Sequence, residues 1–113
     1  AEKLSIHSDG RGLSQFTAKA WASWNLNGTA SIHDSHNVSS LSDNGTGDST
    51  IFFANNMANT NYAVAGMSDD AFRLLSLRDQ SYTATSYTRF ASTITSNSTW
   101  DDAHRLMATW FGD

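Results

Sequence analysis

Cysteine and proline are both absent from the 113 residues of this chain. Without cysteine, disulfide bridges and thiolate metal sites are excluded, and a small secreted fold held by bridges is disfavoured. Without proline, a proline-rich linker is excluded as well. Charged residues amount to only 16%, against roughly 25% in typical domains. This scarcity of charge disfavours a helical protein, whose exposed faces usually carry many Glu and Lys residues.

The few basic residues are dispersed along the chain. They are Lys3, Arg11, Lys19, Arg73, Arg78, Arg89 and Arg105. The net charge is −4, and no basic stripe could neutralise phosphates, so we expect no nucleic-acid partner. No apolar run approaches the roughly 20 residues of a membrane span. We therefore expect no membrane insertion.

Ser, Thr and Asn together supply a third of the chain, 38 of 113 residues. These side chains favour turns and strands over long helices, because they form hydrogen bonds with the nearby backbone. Aromatic residues reach 12% and include four Trp, which is unlike a disordered tail. The composition therefore predicts a folded, mainly β domain.

Strand-like segments follow one another with turn residues between them. Residues 19–26 alternate, with Ala20, Ala22, Trp24 and Leu26 on one face and Trp21 on the other. Further candidates are residues 30–33, 38–42, 49–54, 62–67, 72–77, 82–91 and 104–111, of which 72–77 could be strand or helix. About seven strands spaced by turn signals predict a single all-β domain, a jelly-roll-like β-sandwich.

Two of these segments carry more specific predictions. Residues 43–48 are almost all turn formers, and Gly45 and Gly47 can adopt positive φ at little cost, so we predict a β-hairpin with a longer loop. Residues 104–111 are apolar on both faces. Such a strand is either central in its sheet or covered by a neighbouring subunit.

The two ends of the chain differ in character. Residues 1–15 are polar and contain Gly10 and Gly12, which predicts a lead-in from a longer upstream region. Residues 16–113 are then predicted to form the β-sandwich domain.

Several short motifs occur in a fixed order between Leu13 and Val64. They are Lys19-Ala20-Trp21, Asn27-Gly28-Thr29, residues 37–40, residues 43–48, the apolar residues 51–53, and Asn61-Tyr62. In this order they resemble a module common in bacteriophage tail-fibre and related virion proteins, and the closing Phe111-Gly112 is similar to the end of such modules. The resemblance covers slightly under half of the chain, and residues 65–100 depart from the pattern.

This resemblance implies a receptor-binding domain near the C-terminus of a virion fibre, located on the virion and forming a homotrimer. It implies a host cell-surface receptor, either a glycan or a protein, and neither catalysis nor a cofactor. We therefore expect non-catalytic host attachment. A structural trimerisation or capsid-decoration domain is the alternative, and a small polysaccharide depolymerase is the third hypothesis.

Two loops, residues 69–80 and 92–102, are the predicted binding region. Candidate binding residues in or beside them are Arg73, Arg78, Tyr82, Tyr87 and Trp100. A Trp in a polar loop can stack on a sugar or anchor a protein contact. It can equally cover an edge of the sandwich, so both interpretations of Trp100 stay open.

The remaining tryptophans are predicted to be mainly structural. Trp24 and Trp110 lie on apolar faces and are expected in the core. Trp21 is expected to cover a sandwich edge or a subunit interface.

Two patterns suggest other chemistry. His33 and His36 flank Asp34, but on a strand the two rings would face opposite sides, so a metal site would need a turn or a trimer axis, and we predict a solvated loop without metal. Asp69-Asp70 and Asp101-Asp102 are carboxylate pairs, and glycosidases use two carboxylates. Adjacent Asp residues more often form turns or helix caps.

Overall fold

The computed structural model describes residues 17–70, 72–78, 83–97 and 99–112. Those residues contain eight β-strands and no helix. The strands are β1 (Ala20–Asn25), β2 (Ser31–His36), β3 (Val38–Gly45), β4 (Asp48–Phe53), β5 (Ala63–Ser68), β6 (Arg73–Leu77), β7 (Tyr87–Ile94) and β8 (Leu106–Phe111). The predicted lead-in, residues 1–15, lies outside the described residues.

Two antiparallel four-stranded sheets pack together as a sandwich. The first sheet has the order β2-β1-β8-β5, and the second has the order β3-β4-β7-β6. The prediction of a single all-β sandwich is confirmed. Strand β8 lies between β1 and β5, the central position that the apolar residues 104–111 predicted as one of two possibilities.

The core is centred on two tryptophans. Trp24 and Trp110 are both fully buried, as the alternation of β1 and β8 predicts. The ring of Phe53 meets Trp110 edge-on at a centroid distance of 5.4 Å, and the ring of Phe90 lies 5.3 Å from Trp24. Such tilted aromatic pairs add about 0.5–1.5 kcal/mol each beyond the burial of their surface.

Each buried indole N–H is paired across the interior with a hydroxyl of the second sheet. Trp24 Nε1 donates to Ser49 Oγ at 3.2 Å, and Trp110 Nε1 donates to Thr88 Oγ1 at 3.1 Å. A buried N–H without a partner would cost about 1–3 kcal/mol. These two bonds therefore fix how the sheets are aligned as well as satisfying the indoles.

The chain passes from the first sheet to the second at Asn37. This residue has a φ of 56°, a left-handed conformation that Asn tolerates better than most residues. Its side-chain amide donates to the carbonyls of Lys19 and Asn55 at 3.0 and 3.1 Å, and its Oδ1 accepts from the N–H of Asn55 at 2.8 Å. Asn37 thus joins the starts of β1 and β3 to the end of β4.

The predicted hairpin forms, but its loop is shorter than expected. Strand β3 continues to Gly45 and β4 begins at Asp48, so only Thr46 and Gly47 connect them. The strand persists through these turn-forming residues because Asn44 Nδ2 donates to Thr50 Oγ1 on β4 at 2.7 Å. The register shifts between Asp43 and Gly45, where Gly45 has a φ of 135°.

The structure also decides the type or extent of three other predicted segments. Residues 72–77 are resolved in favour of a strand, β6, and the short candidate at residues 30–33 extends to His36 in β2. The prediction of one strand over residues 82–91 was wrong at both ends, because β7 runs from Tyr87 to Ile94. A bond from the N–H of Ala84 to the carbonyl of Tyr87, at 3.0 Å, closes a turn just before β7. No Gly or Asn marks that turn in the sequence.

Candidate functional site

Trp100 and Arg78, both predicted as binding residues, are in contact. The guanidinium carbon of Arg78 lies 4.6 Å from the centroid of the Trp100 ring. This is cation–π geometry, worth about 0.5–1 kcal/mol at an exposed position. Both side chains are half-buried, so they form part of the molecular surface.

The backbone holds Trp100 in place although it lies outside the eight strands. Trp100 forms an antiparallel bridge with Thr93 of β7. On either side, the N–H of Ile94 donates to the carbonyl of Thr99 at 2.7 Å, and the N–H of Asp101 donates to the carbonyl of Ser92 at 3.0 Å. The segment therefore continues the second sheet beyond Asp48, the first residue of β4, and the indole has a fixed position on it.

An ion pair lies next to the stacked pair. Arg89 of β7 donates from Nε to Asp48 Oδ1 at 2.8 Å and from Nη2 to Asp48 Oδ2 at 2.6 Å. Arg78 Nε is 3.9 Å from the same Oδ2. We name these four side chains, Asp48, Arg78, Arg89 and Trp100, the Trp100 cluster.

The ion pair sets the charge state of Asp48. The hydrogen bonds from Arg89 hold the pKa of the Asp48 carboxyl below its ordinary value and outweigh the opposing effect of burial. Asp48 is consequently ionised at neutral pH. The same carboxylate lies 3.9 Å from Arg78 Nε, so its charge attracts two guanidinium groups.

Arg73 contacts the residue next to Trp100. Its Nη2 lies 2.5 Å from Asp101 Oδ2, while its Nε is buried without a hydrogen-bond partner in the described structure. The structure thus places two predicted binding residues against the segment of the third, Trp100: Arg78 contacts its ring, and Arg73, at the opposite end of β6, contacts Asp101.

Tyr87 is separated from this group. It begins β7, whereas Trp100 is bridged to Thr93 near the other end of that strand. At about 3.3 Å per residue the two positions are roughly 20 Å apart. The Tyr87 ring packs against Phe52 at a centroid distance of 5.8 Å, which gives it a structural contact. Tyr82 lies outside the described residues.

Three of the four Asp residues in the predicted pairs have contacts within the fold. Asp101 pairs with Arg73, and Asp102 Oδ1 accepts from the N–H of Gly47 at 2.7 Å. Asp70 Oδ2 accepts from the N–H of His104 at 3.4 Å and lies 3.7 Å from its Nδ1. Asp69 is exposed. All three contacts join distant parts of the chain, so these Asp side chains tie segments of the fold together and do not form local turns.

The two histidines of the metal hypothesis lie on β2, where a solvated loop was predicted. His33 Nε2 is 3.3 Å from the carbonyl of His104. Among the described residues, no group of three or more His, Asp or Glu side chains could hold a metal ion. The same part of the chain contains no helix long and apolar enough to cross a membrane.

Two members of the Trp100 cluster, Asp48 and Arg89, were not predicted as site residues. Asp48 was assigned to the hairpin turn, and Arg89 was taken as one residue of a Tyr/Thr-rich strand. The available signal is that each is the only charged residue of its strand. A lone charge in a strand often pairs with an opposite charge across the sheet.

A second surface feature lies on the outer face of the first sheet. A groove of about 500 Å³ is lined mainly by apolar atoms of β1, β5 and β8, among them Trp21, Ala65, Met67 and Met107. Trp21 is 37% exposed and Met67 is 64% exposed. Trp21 therefore lies on an open sheet face and does not cover a sandwich edge; the subunit interface predicted as the alternative stays a prediction.

No protein-family model, no curated protein and no solved structure matches this chain. The likeness to virion fibre modules consequently remains a resemblance in sequence motifs.

Proposed function

We propose that this chain is a non-catalytic attachment domain of a virion fibre and that it contacts the host surface through the Trp100 cluster. The observation that carries the proposal is the stacking of Arg78 on Trp100 beside the Asp48–Arg89 ion pair. The motifs between Leu13 and Val64 supply the virion context. Aromatic and Arg side chains are the residue types that most often dominate binding energy at interfaces.

The chemistry of the cluster suits a hydroxyl-rich or acidic glycan. The guanidinium of Arg78, 4.6 Å from the centroid of the Trp100 ring, places N–H donors beside an aromatic face, and such donors bind hydroxyl and carboxylate oxygens. Asp48 orients Arg78 and Arg89, so a ligand would meet groups whose rotamers are already restricted. Such preorganisation lowers the entropic cost of binding.

The carboxylate pairs support a binding role over a depolymerase. Glycoside hydrolysis needs two carboxyl groups that face one sugar bond. Asp101 and Asp102 instead contact Arg73 and the backbone of Gly47. Their contacts stabilise the segment that carries Trp100, so we assign them a positioning role.

The experiment is binding of the 113-residue chain to an array of purified bacterial capsular polysaccharides and lipopolysaccharides. W100A and R78A are each expected to weaken binding at least about tenfold, as for an interface anchor. R105A is the matched control for loss of a cation, since Arg105 is exposed and lies outside the cluster. Equal binding by W100A and the unmodified chain would contradict the proposal.

A parallel measurement separates the two receptor classes. The chain is added to whole bacterial cells before and after protease treatment of the cell surface. Retained adsorption indicates a glycan, and lost adsorption indicates a protein receptor. Release of reducing ends from the arrayed polysaccharides would instead favour the depolymerase hypothesis. The predicted homotrimer stays a prediction.

A further inference from the structure

Among the described residues, the sandwich has four edge strands, and β5 differs from the other three. Edge strands offer unpaired backbone groups to other chains, and proteins commonly protect them with charges or bulges. Each of the others includes a charged residue: Asp34 in β2, Asp43 in β3 and Arg73 in β6. The pairings of β2 and β3 also contain register shifts. Strand β5, Ala-Val-Ala-Gly-Met-Ser, has no charge, and its pairing with β8 is regular.

The hydrogen bonding of β5 shows which backbone groups point outward. The N–H of Asp69 donates to the carbonyl of Arg105 at 3.1 Å, one step beyond the Ser68–Leu106 pair. Bonded and non-bonded pairs alternate in an antiparallel ladder. Met67 and Ala65 therefore bond to β8, whereas Gly66 and Ser68 direct their N–H and C=O groups away from it, toward an edge on which no other described strand lies.

The side chains of β5 also permit a close approach. Ala63, Ala65, Gly66 and Met67 are exposed, and all but Met67 are small. The outer face next to this edge is the apolar groove that contains Trp21 and Met107. A strand added at β5 would extend both the hydrogen-bonded sheet and this apolar face.

We propose that β5 is a self-association edge, at which the β5 strands of two copies of this chain pair antiparallel across a two-fold axis. A two-fold antiparallel pair requires the strand to accept its own sequence in reverse, because residue i of one copy meets residue j of the other and j meets i, and a charge at the axis would meet its own copy. Strand β5 satisfies this condition in every register, because none of its residues is charged. The pair forms one eight-stranded sheet from the two first sheets.

The test is the solution mass of the 113-residue chain by light scattering behind a sizing column. One chain has a mass of 12.3 kDa, and the unmodified protein is expected at twice that value. A65K places a charge at the exposed centre of β5 and is expected to halve the mass. S40K is the matched control, because Ser40 is an exposed residue of the edge strand β3, and it should leave the mass unchanged.

Circular dichroism of A65K verifies that the variant is folded, and cysteine scanning gives a measurement independent of its stability. The chain has no cysteine, so A63C, A65C and M67C each introduce a single thiol. Under mild oxidation at least one of them should form a disulfide-linked dimer, and S40C should not. A monomer mass, a mass of three chains, which the resemblance to virion fibres implies, or a dimer unaffected by A65K would overturn the proposal.

Discussion

The indole N–H of Trp110 donates a hydrogen bond to the hydroxyl of Thr88, 3.1 Å away on the opposite sheet. The same hydroxyl lies 2.8 Å from Tyr62 Oη, and Thr88 is fully buried. The hydroxyl of one threonine thus forms hydrogen bonds with two aromatic side chains inside the sandwich.

Replacing this hydroxyl with a methyl group should destabilise the protein. T88V keeps the volume but leaves the N–H of Trp110 without its acceptor, which should lower the free energy of unfolding by about 1–3 kcal/mol. Urea denaturation followed by Trp fluorescence measures the change. T88S retains the hydroxyl and is the control. Equal stability of T88V and T88S would show that the cross-sheet bond contributes nothing.

The Asp48–Arg89 pair predicts a stability that depends on pH. The pKa of Asp48 is lowered in the folded state, whereas the pKa of an Asp in the unfolded chain is about 3.9. The stabilisation is therefore present above about pH 4 and is lost as the pH falls through the folded pKa.

D48N removes this titration. At pH 7 it should be less stable than the unmodified chain by about 1.5–3 kcal/mol, the range for hydrogen bonds to charged groups. The difference should shrink as the pH falls below about 4. Chemical denaturation at a series of pH values measures it, with D69N as the control for an exposed carboxylate. A difference that is independent of pH would contradict this assignment.

Gly47 should tolerate substitution much less well than Gly28. Both have positive φ, 68° and 73°. A Cβ at Gly28 would meet open space, whereas a Cβ at Gly47 would overlap the carbonyl oxygen of Ser92 and lie 2.9 Å from the nitrogen of Asp101. G28A should cost about 1–2 kcal/mol from the backbone conformation alone.

G47A adds the overlap, which should cost a further ~1–3 kcal/mol. Thermal unfolding of the two variants gives the comparison. Because Gly47 contacts the segment that carries Trp100, G47A should also change the emission of that indole. Similar stabilities for the two variants would mean that the segment carrying Trp100 moves away from the new Cβ without any loss of stability.

Asn37 should be important to stability although its side chain is polar. N37A removes three hydrogen bonds of 2.8–3.1 Å, so we expect a loss of about 2–3 kcal/mol at about 1 kcal/mol per bond. N37G loses the same bonds but relieves the positive φ, and it should be more stable than N37A by about 1 kcal/mol. N27A, at an exposed position, should change stability by less than about 0.5 kcal/mol.

Much of the fold is visible in local patterns. The alternation over residues 19–26 correctly places Trp24 inside and Trp21 outside, because one buried face imposes a period of two on the side chains. The apolar character of residues 104–111 correctly indicates a central strand as one of two possibilities. The predicted boundaries of β3 and β7 were wrong. Strand β3 is extended by a hydrogen bond from the Asn44 side chain, and β7 begins only after a turn that contains no Gly.

The candidate site was only partly predictable for a different reason. Arg78 and Trp100 were identified by residue type and by their place in or beside polar loops. Asp48 and Arg89 are far apart in the chain, and only strand pairing between β4 and β7 brings them together. A contact of this kind is a property of the topology, and a single sequence does not display it.

The central position of β8 has a consequence for folding kinetics. Ala20 in β1 pairs with Trp110 in β8, so the first sheet joins segments from near the two ends of the described chain. Closing such a long loop costs entropy before any contact compensates for it, and domains rich in non-local pairing fold in roughly milliseconds to seconds. We therefore expect this sandwich to fold slowly for its size, with β5 exposed until β8 is in place.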